Sequence, residues 1–233
     1  MNCLTWNLEW APANSRRASL ILESVSAADP DVVCFTEVHR TLMPPGHLLE
    51  SSADYGYPIK EGRRKVILWS RQPWTEIDLI GDETLPSGRF VSGVSGGIRF
   101  VGVCIPWKDA HVRTGRRDRK PWEDHIVYCG GLATILERDR AQSVPICLLG
   151  DFNQRIPRIN QPPEVYAALM NAVTGLTVAT SGLTDRDGRN LIDHIAVTPH
   201  VEVSINGILS KTADDGTHLS DHAGVHASIH QRT

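Results

Sequence analysis

Five apolar stretches of this chain run straight into clusters of carboxylate, amide or imidazole side chains. They are Trp6-Asn7-Leu8-Glu9, Phe35-Thr36-Glu37, Leu149-Gly150-Asp151-Phe152-Asn153, Ile192-Asp193-His194 and Leu219-Ser220-Asp221-His222. Apolar runs of this length bury a strand, and the polar groups that follow emerge where the strand leaves the core. The repeated pattern predicts packed sheets whose strand ends gather a site along one edge. The donors are mostly oxygen atoms, with no cysteine or histidine cage, which suits a hard ion such as Mg2+ or Mn2+. An Asp and a His brought from different strands can pair, which fixes the imidazole tautomer and favours its charged form.

The rest of the chain supplies the elements such sheets need. Strands are expected over Asn2 to Leu8, Val32 to Phe35 with Glu37 at the end, Lys65 to Ser70, Ile98 to Ile105 and Val144 to Leu149. Three more are expected over Leu191 to Val197, Val201 to Leu209 and Ala223 to Ile229. A helix is expected from Ser15 to Ala28, with Leu20, Ile21, Leu22 and Val25 on its apolar face and Asn14 or Ser15 as its cap. Asp29-Pro30-Asp31 stops it. A second helix is expected from Pro121 to about Arg138, with Glu123 and Asp124 complementing the dipole in its first turn, and a short third from Pro163 to Val173. Gly81 to Gly97 suggests turns and a hairpin, and Arg113 to Lys120 a basic loop.

Composition narrows the function classes. Hydrophobic residues make up 41% of the 233 positions and charged residues 22%, a balance that fits one folded domain over residues 1–233. The net charge of −3 excludes a global basic field for nucleic acid but not a local patch. No apolar run approaches the ~20 residues of a membrane helix, so no membrane partner is expected. The chain opens on strand-like residues without a signal-peptide pattern, which predicts a cytoplasmic protein. Cys3, Cys34, Cys104, Cys129 and Cys147 form no paired motif and read as reduced packing residues.

The order of the motifs resembles the endonuclease/exonuclease/phosphatase superfamily of metal-dependent phosphoesterases, which includes abasic-site endonucleases and pancreatic-type deoxyribonucleases. The resemblance runs from Trp6-Asn7 to Ser220-Asp221-His222. It rests on Asp29-Pro30-Asp31-Val32-Val33-Cys34-Phe35-Thr36-Glu37, Gly150-Asp151-Phe152-Asn153, Ile192-Asp193-His194-Ile195 and Ser220-Asp221-His222 together. It implies an α/β (α+β) fold, a four-layer α/β sandwich with two facing mixed β-sheets flanked by helices. It also implies a role for each matching residue. Glu37 looks like the principal ligand of an Mg2+ or Mn2+ cofactor. Asn7 looks like the amide that supports metal or phosphate, and Asp221 like a second ligand or nearby carboxylate. Glu9, on the same side of the strand as Asn7, is either a further ligand or an ordinary exposed glutamate. Asp151 and Asn153 look like the pair that orients the attacking water and holds the phosphoryl group. Asp193 looks like the partner of His222, which would be a charged donor to the phosphoryl oxygens. The water's proton goes to either Asp151 or His222.

Two departures bear on the substrate. Where many relatives place a Tyr or His on the phosphate, this chain offers Cys104 or Trp107, with Lys108 or His111 as replacement donors. His125 is a candidate for the Arg that relatives carry early in the next helix, or else an exposed helical histidine. The loop with Arg113, Arg116, Arg117, Arg119 and Lys120 lies between Trp107 and Trp122. It reads either as a grip on a phosphate backbone with stacked bases, or as a solvated loop beside core tryptophans. In the first reading Trp107, Lys108, Arg116, Arg117 and Arg119 bind substrate. Arg63-Arg64-Lys65 is a second short basic patch, and Trp10 a candidate pocket wall. The expected activity is a metal-dependent phosphodiester hydrolase acting as a nuclease on DNA or RNA. The alternative is a small-molecule phosphodiesterase or phosphomonoesterase. A non-catalytic binding protein fits poorly with the joint retention of Glu37, Asp151, Asn153, Asp193 and His222.

Overall fold

In the computed structural model, which describes residues 1–232, each strand sorts its side chains by the two-residue pleat. The strands are β1 (Asn2–Asn7), β2 (Val32–His39), β3 (His47–Glu50), β4 (Arg63–Ser70), β5 (Thr75–Asp78), β6 (Phe90–Ser95), β7 (Ile98–Cys104), β8 (Ile146–Asp151), β9 (Thr177–Val178), β10 (Asp193–Val197), β11 (Val201–Leu209) and β12 (Gly224–Gln231). The helices are α1 (Arg16–Ala27), α2 (Glu123–Ala141) and α3 (Pro163–Ala172). One six-stranded sheet runs β11-β12-β1-β2-β4-β3, the other β5-β6-β7-β8-β10-β9. Both are mixed. β1 and β2 are parallel and joined through α1, and β7 and β8 are parallel and joined through α2.

Parity decides what each residue touches. Cys3, Val32, Cys34, Val66 and Leu68 face the second sheet, where they meet Phe100, Cys147, Leu149, Ile195 and Val197 in one buried cluster. Their neighbours Leu4, Trp6, Val33, Phe35 and Ile67 point the other way, against Ile21 and Val25 of α1. On the far side, Val101, Val103, Ile146 and Leu148 pack under Leu132 and Leu136 of α2 and Leu169 of α3. The result is four layers: helix, sheet, sheet, helices. The same parity carries Asn7, Asp151 and Asp193 to one end of the seam between the sheets. Asn7 follows Cys3 and Thr5, Asp151 follows Cys147 and Leu149, and Asp193 precedes Ile195 and Val197.

Several boundaries differ from the sequence-based expectation. α2 begins at Glu123 rather than Pro121, because Trp122 sits at its N-cap in a left-handed conformation and donates its backbone N–H to Lys108 O at 2.7 Å. β8 begins at Ile146 rather than Val144, since Pro145 has no N–H to give the ladder. Within the segment expected to be turns and a hairpin, Phe90–Ser95 is a full strand paired with β7 across Gly96 and Gly97. The short strands β3, β5 and β9 carry no periodic signal of their own and form by pairing with longer neighbours. The five cysteines are buried and unpaired. Among the described residues no helix is long and apolar enough to cross a membrane.

Gly150 is the tightest point beside the seam. Its φ is +141°, and a Cβ there would lie 2.0 Å from the carbonyl oxygen of Val103, its partner on β7. Gly150→Ala should therefore push β8 off β7 just before Asp151. The expected loss of stability exceeds about 1 kcal/mol, which urea unfolding or a fall in Tm of roughly 2–4 °C per kcal/mol will register.

Candidate active site

The site is assembled where the first sheet's strand ends meet those of the second. Asn7, last residue of β1, bonds to both carboxylates opposite it. Its backbone N–H donates to Asp193 Oδ2 at 2.7 Å, and its side-chain Nδ2 donates to Asp151 Oδ2 at 3.2 Å. Asp151 and Asp193 are themselves cross-strand neighbours on β8 and β10. Asn153 folds back on Asp151, giving its backbone N–H to Oδ1 at 2.8 Å and its Nδ2 to Oδ2 at 2.7 Å. His222 completes the set, with Nδ1 donating to Asp193 Oδ1 at 2.8 Å. Ser220 positions this end of the chain. Its hydroxyl donates to Asn7 O at 2.6 Å and accepts the His222 N–H at 3.1 Å. Trp6 Nε1 holds the His222 carbonyl at 2.8 Å.

Burial sets the protonation states. Desolvation works against charge on His222, but the carboxylates of Asp193, Asp151 and Asp221 outweigh it and raise its pKa to about 10. It is therefore an imidazolium at neutral pH. Asp151 is brought up to about 7, first by burial and then by the negative charges of Asp193 and Glu37, while His222 opposes the shift. A carboxyl group poised there can accept a proton under working conditions.

A second group lies beside this one. Glu37 has a φ of +49°, and the left-handed turn interrupts the pleat of β2 between the register pairs Thr36–Val66 and Val38–Arg64. Its Oε1 accepts from Lys65 Nζ at 2.5 Å. Lys65 is a buried ammonium, absent from the sequence-predicted site. It was visible only as part of a basic run, and its place opposite Glu37 became legible once the β2–β4 register was known. Arg63 and Arg64 of the same run separate from it: Arg64 pairs with Glu50, and Arg63 lies over the Trp10 ring. Glu9 N donates to Asn7 Oδ1 at 2.8 Å, while the Glu9 carboxylate is engaged by Arg17 and His218. Asp221 is exposed, with Oδ1 at 3.7 Å from His222 Nε2. Non-glycine residues in left-handed conformation cluster here: Glu9, Trp10, Glu37 and Asn153 all have positive φ.

The substrate-binding candidates are less uniformly placed. Cys104 is buried with its Sγ 3.9 Å from Asp151 Oδ2. Trp107 and Lys108 are exposed. The basic loop is not a free patch. Arg119 Nε donates to the buried Asp124 at 2.6 Å, and Arg116 lies within 3.7 Å of Asp124 and 3.6 Å of Asp118. Arg117 remains exposed. His111 is buried, its backbone N–H donating to Tyr57 Oη at 3.2 Å. His125 is buried too and is not an exposed helical histidine: Nδ1 meets Pro106 O at 2.7 Å and Nε2 meets Gln154 Nε2 at 2.6 Å.

The sequence model of the Endonuclease/Exonuclease/phosphatase family matches residues 4–222. The chain belongs to that family. No curated protein matches it. Several solved structures share the fold of this family member. The 3′ phosphatase NExo from Neisseria, bound to a product DNA hairpin, is 18% identical with a TM-score of 0.74, covering 99% of each chain. An AP endonuclease from Archaeoglobus fulgidus is 15% identical with a TM-score of 0.68, covering 98% of each. The human Nocturnin catalytic domain with bound sulfate is 18% identical with a TM-score of 0.65, covering 99% of this chain and 94% of that one.

Behind the site, two neutral histidines make folding sensitive to acid. His194 is bonded to Thr180 Oγ1 at 2.7 Å and Gln154 O at 3.0 Å. Burial lowers both His194 and His125 to about 4. In the unfolded chain they titrate near ~6.5, so the unfolded state gains protons first as pH falls. Stability should be intact above about 6.5 and fall by up to ~1.4 kcal/mol per histidine for each pH unit below it. Urea unfolding between pH 7 and pH 4.5 tests this, and a flat profile above pH 5 would contradict it.

Proposed function

We propose that this protein is a divalent-metal-dependent phosphodiester hydrolase that acts on nucleic acid by attack of water on phosphorus. The observation that carries the reading is the Asn7 bridge, which sets the Asp193–His222 ion pair beside the Asp151–Asn153 pair. Membership of the endonuclease/exonuclease/phosphatase family supports it. So does the likeness to an AP endonuclease and to a 3′ phosphatase bound to a DNA hairpin.

The residues fit Mg2+ or Mn2+. The donors are hard oxygens, and Asp221 is pushed above its ordinary value by burial and by the charges of Glu9 and Glu37, while His222 opposes. A cation relieves such crowding. Glu37 through its second oxygen, with Asp221 and with Asn7 and Glu9 close by, would hold the ion. The ion supplies neutralisation of the phosphate and of the leaving oxygen. The chain's own groups do the rest. Asp151 accepts the proton of the attacking water, and the amides of Asn7 and Asn153 fix the orientation of its carboxylate. His222, held charged by Asp193, donates to the phosphoryl oxygens, where negative charge grows in the transition state.

Asp151→Asn and His222→Ala should each lower kcat on bis(p-nitrophenyl) phosphate by about 10²–10³-fold. EDTA should abolish turnover, and Mn2+ or Mg2+ should restore it. Absence of metal-dependent turnover of this diester, DNA and RNA alike would overturn the reading. Lys65 competes with the ion for Glu37, so Lys65→Met should tighten Mn2+ binding on the order of tenfold, about 1.4 kcal/mol, in a calorimetric titration. Unchanged or weaker binding would mean that Lys65 instead holds Glu37 in its productive orientation.

One observation favours a second reading, a phosphoesterase acting on small substrates. Arg116 and Arg119 of the basic loop are engaged by Asp118 and Asp124, which leaves less free charge to track a long phosphate backbone. Salt dependence separates the two: cleavage of a polymer gripped through phosphates weakens steeply with salt, and turnover of a small diester does not.

A further inference from the structure

Beside Glu37 the surface sinks into a cavity of about 350 Å³. Trp10, Tyr55, Tyr57 and Trp107 supply aromatic walls. Lys60, Arg63 and Lys65 supply its charges, and no acidic residue lines it. The rings are ordered. Trp10 stacks on Tyr55 with centroids 5.9 Å apart at 20°, Tyr55 lies 5.8 Å from Tyr57, and Tyr57 lies 4.6 Å from the His111 ring. Arg63 sits 4.8 Å over Trp10, and Lys65 Nζ is 5.2 Å from Trp10 and 5.5 Å from Tyr55. The cavity is tied directly to the candidate metal ligand. Lys65 holds the Glu37 carboxylate, and Trp10 N donates to Glu37 O at 2.8 Å.

We infer that this cavity is a subsite for one unstacked nucleobase, lying next to the phosphate that the Asp151–His222 site would attack. The inference rests on the phosphoesterase reading above and names the form of its substrate. Aromatic walls accept any base through its π face, and flanking cations accept the phosphates on either side. The volume lies at the lower end of ligand cavities, ~300–1,000 Å³, which suits a single nucleotide and not a duplex. Bases within a duplex have both faces covered by their neighbours and present only edges. The occupant is therefore an unpaired base, at a strand end or in a single strand. Trp107 is 45% exposed, a large ring that a stacked base would cover.

Binding in EDTA, where no turnover occurs, tests the subsite. The probes are a short fluorescein-labelled oligothymidylate, a blunt DNA duplex of equal length, and inorganic phosphate as competitor. The oligothymidylate should bind more tightly than the duplex and resist displacement by phosphate. Trp107→Ala should weaken its binding about tenfold to a hundredfold, and Arg63→Gln should reduce the salt dependence, with far-UV circular dichroism verifying the fold of each. Equal binding of duplex and single strand, or unchanged oligothymidylate affinity in both Trp107→Ala and Trp10→Leu, overturns the inference. Turnover of bis(p-nitrophenyl) phosphate by the wild-type chain with Mn2+ is read separately. Turnover without preference for unpaired bases overturns the subsite alone, and absence of metal-dependent turnover of this diester, DNA and RNA alike overturns the reading beneath it.

Discussion

The site depends on one residue bonding twice. Asn7 gives its main-chain N–H to one carboxylate and its side-chain amide to another, and both belong to the sheet opposite. Asp151 and Asp193 are adjacent across strands, so two acids in an apolar seam would repel each other without these donors and the His222 charge. The bond therefore closes the seam at one end and makes a close pair of carboxylates tolerable there. The hydroxyl of Ser220, donated to the Asn7 carbonyl, ties the remote chain segment with His222 to the same residue. Order at a single strand terminus thus spreads to five groups from four segments.

Much of this was legible before any coordinates. Strand parity puts Asn7, Asp151 and Asp193 on one face with the residues two positions away, but β1, β8 and β10 are buried on both faces, so no alternation marks which face meets the other sheet. The four layers followed from counting strands and helices and from the family resemblance. Other features were not legible, for physical reasons. Short edge strands such as β3 and β5 exist only because a neighbour offers unpaired backbone groups. The Lys65–Glu37 pair depends on antiparallel register, which sequence does not reveal. The basic loop looked like a patch because charge counting ignores partners, and Asp124, five residues beyond Arg119, lay in what read as a helix start. His125 read as a stand-in for the family's Arg or as an exposed helical histidine, and it is neither exposed nor free because α2 is buried along much of its length.

The charges around Glu37 divide into two economies. Toward the seam, Asp151, Asp193 and Asp221 converge on one imidazolium. Away from it, Lys65 and Arg63 lie over aromatic rings, whose negative face holds Arg63 and supplements Glu37 as the partner of Lys65. Glu37 stands at the boundary and has one oxygen on Lys65. On the proposed reading, a phosphate arriving between them would meet positive charge from the chain on one side and from the cation on the other.

The left-handed backbone at Glu9, Trp10, Glu37 and Asn153 carries an evolutionary consequence. Glycine adopts that conformation without strain, whereas each of these side chains holds it at a cost. A lineage released from selection for catalysis could gain stability by placing glycine at these positions. Loss of the chemistry and hardening of the scaffold would then travel together, and descendants of this chain that had become inert would tend to be sturdier than the chain itself.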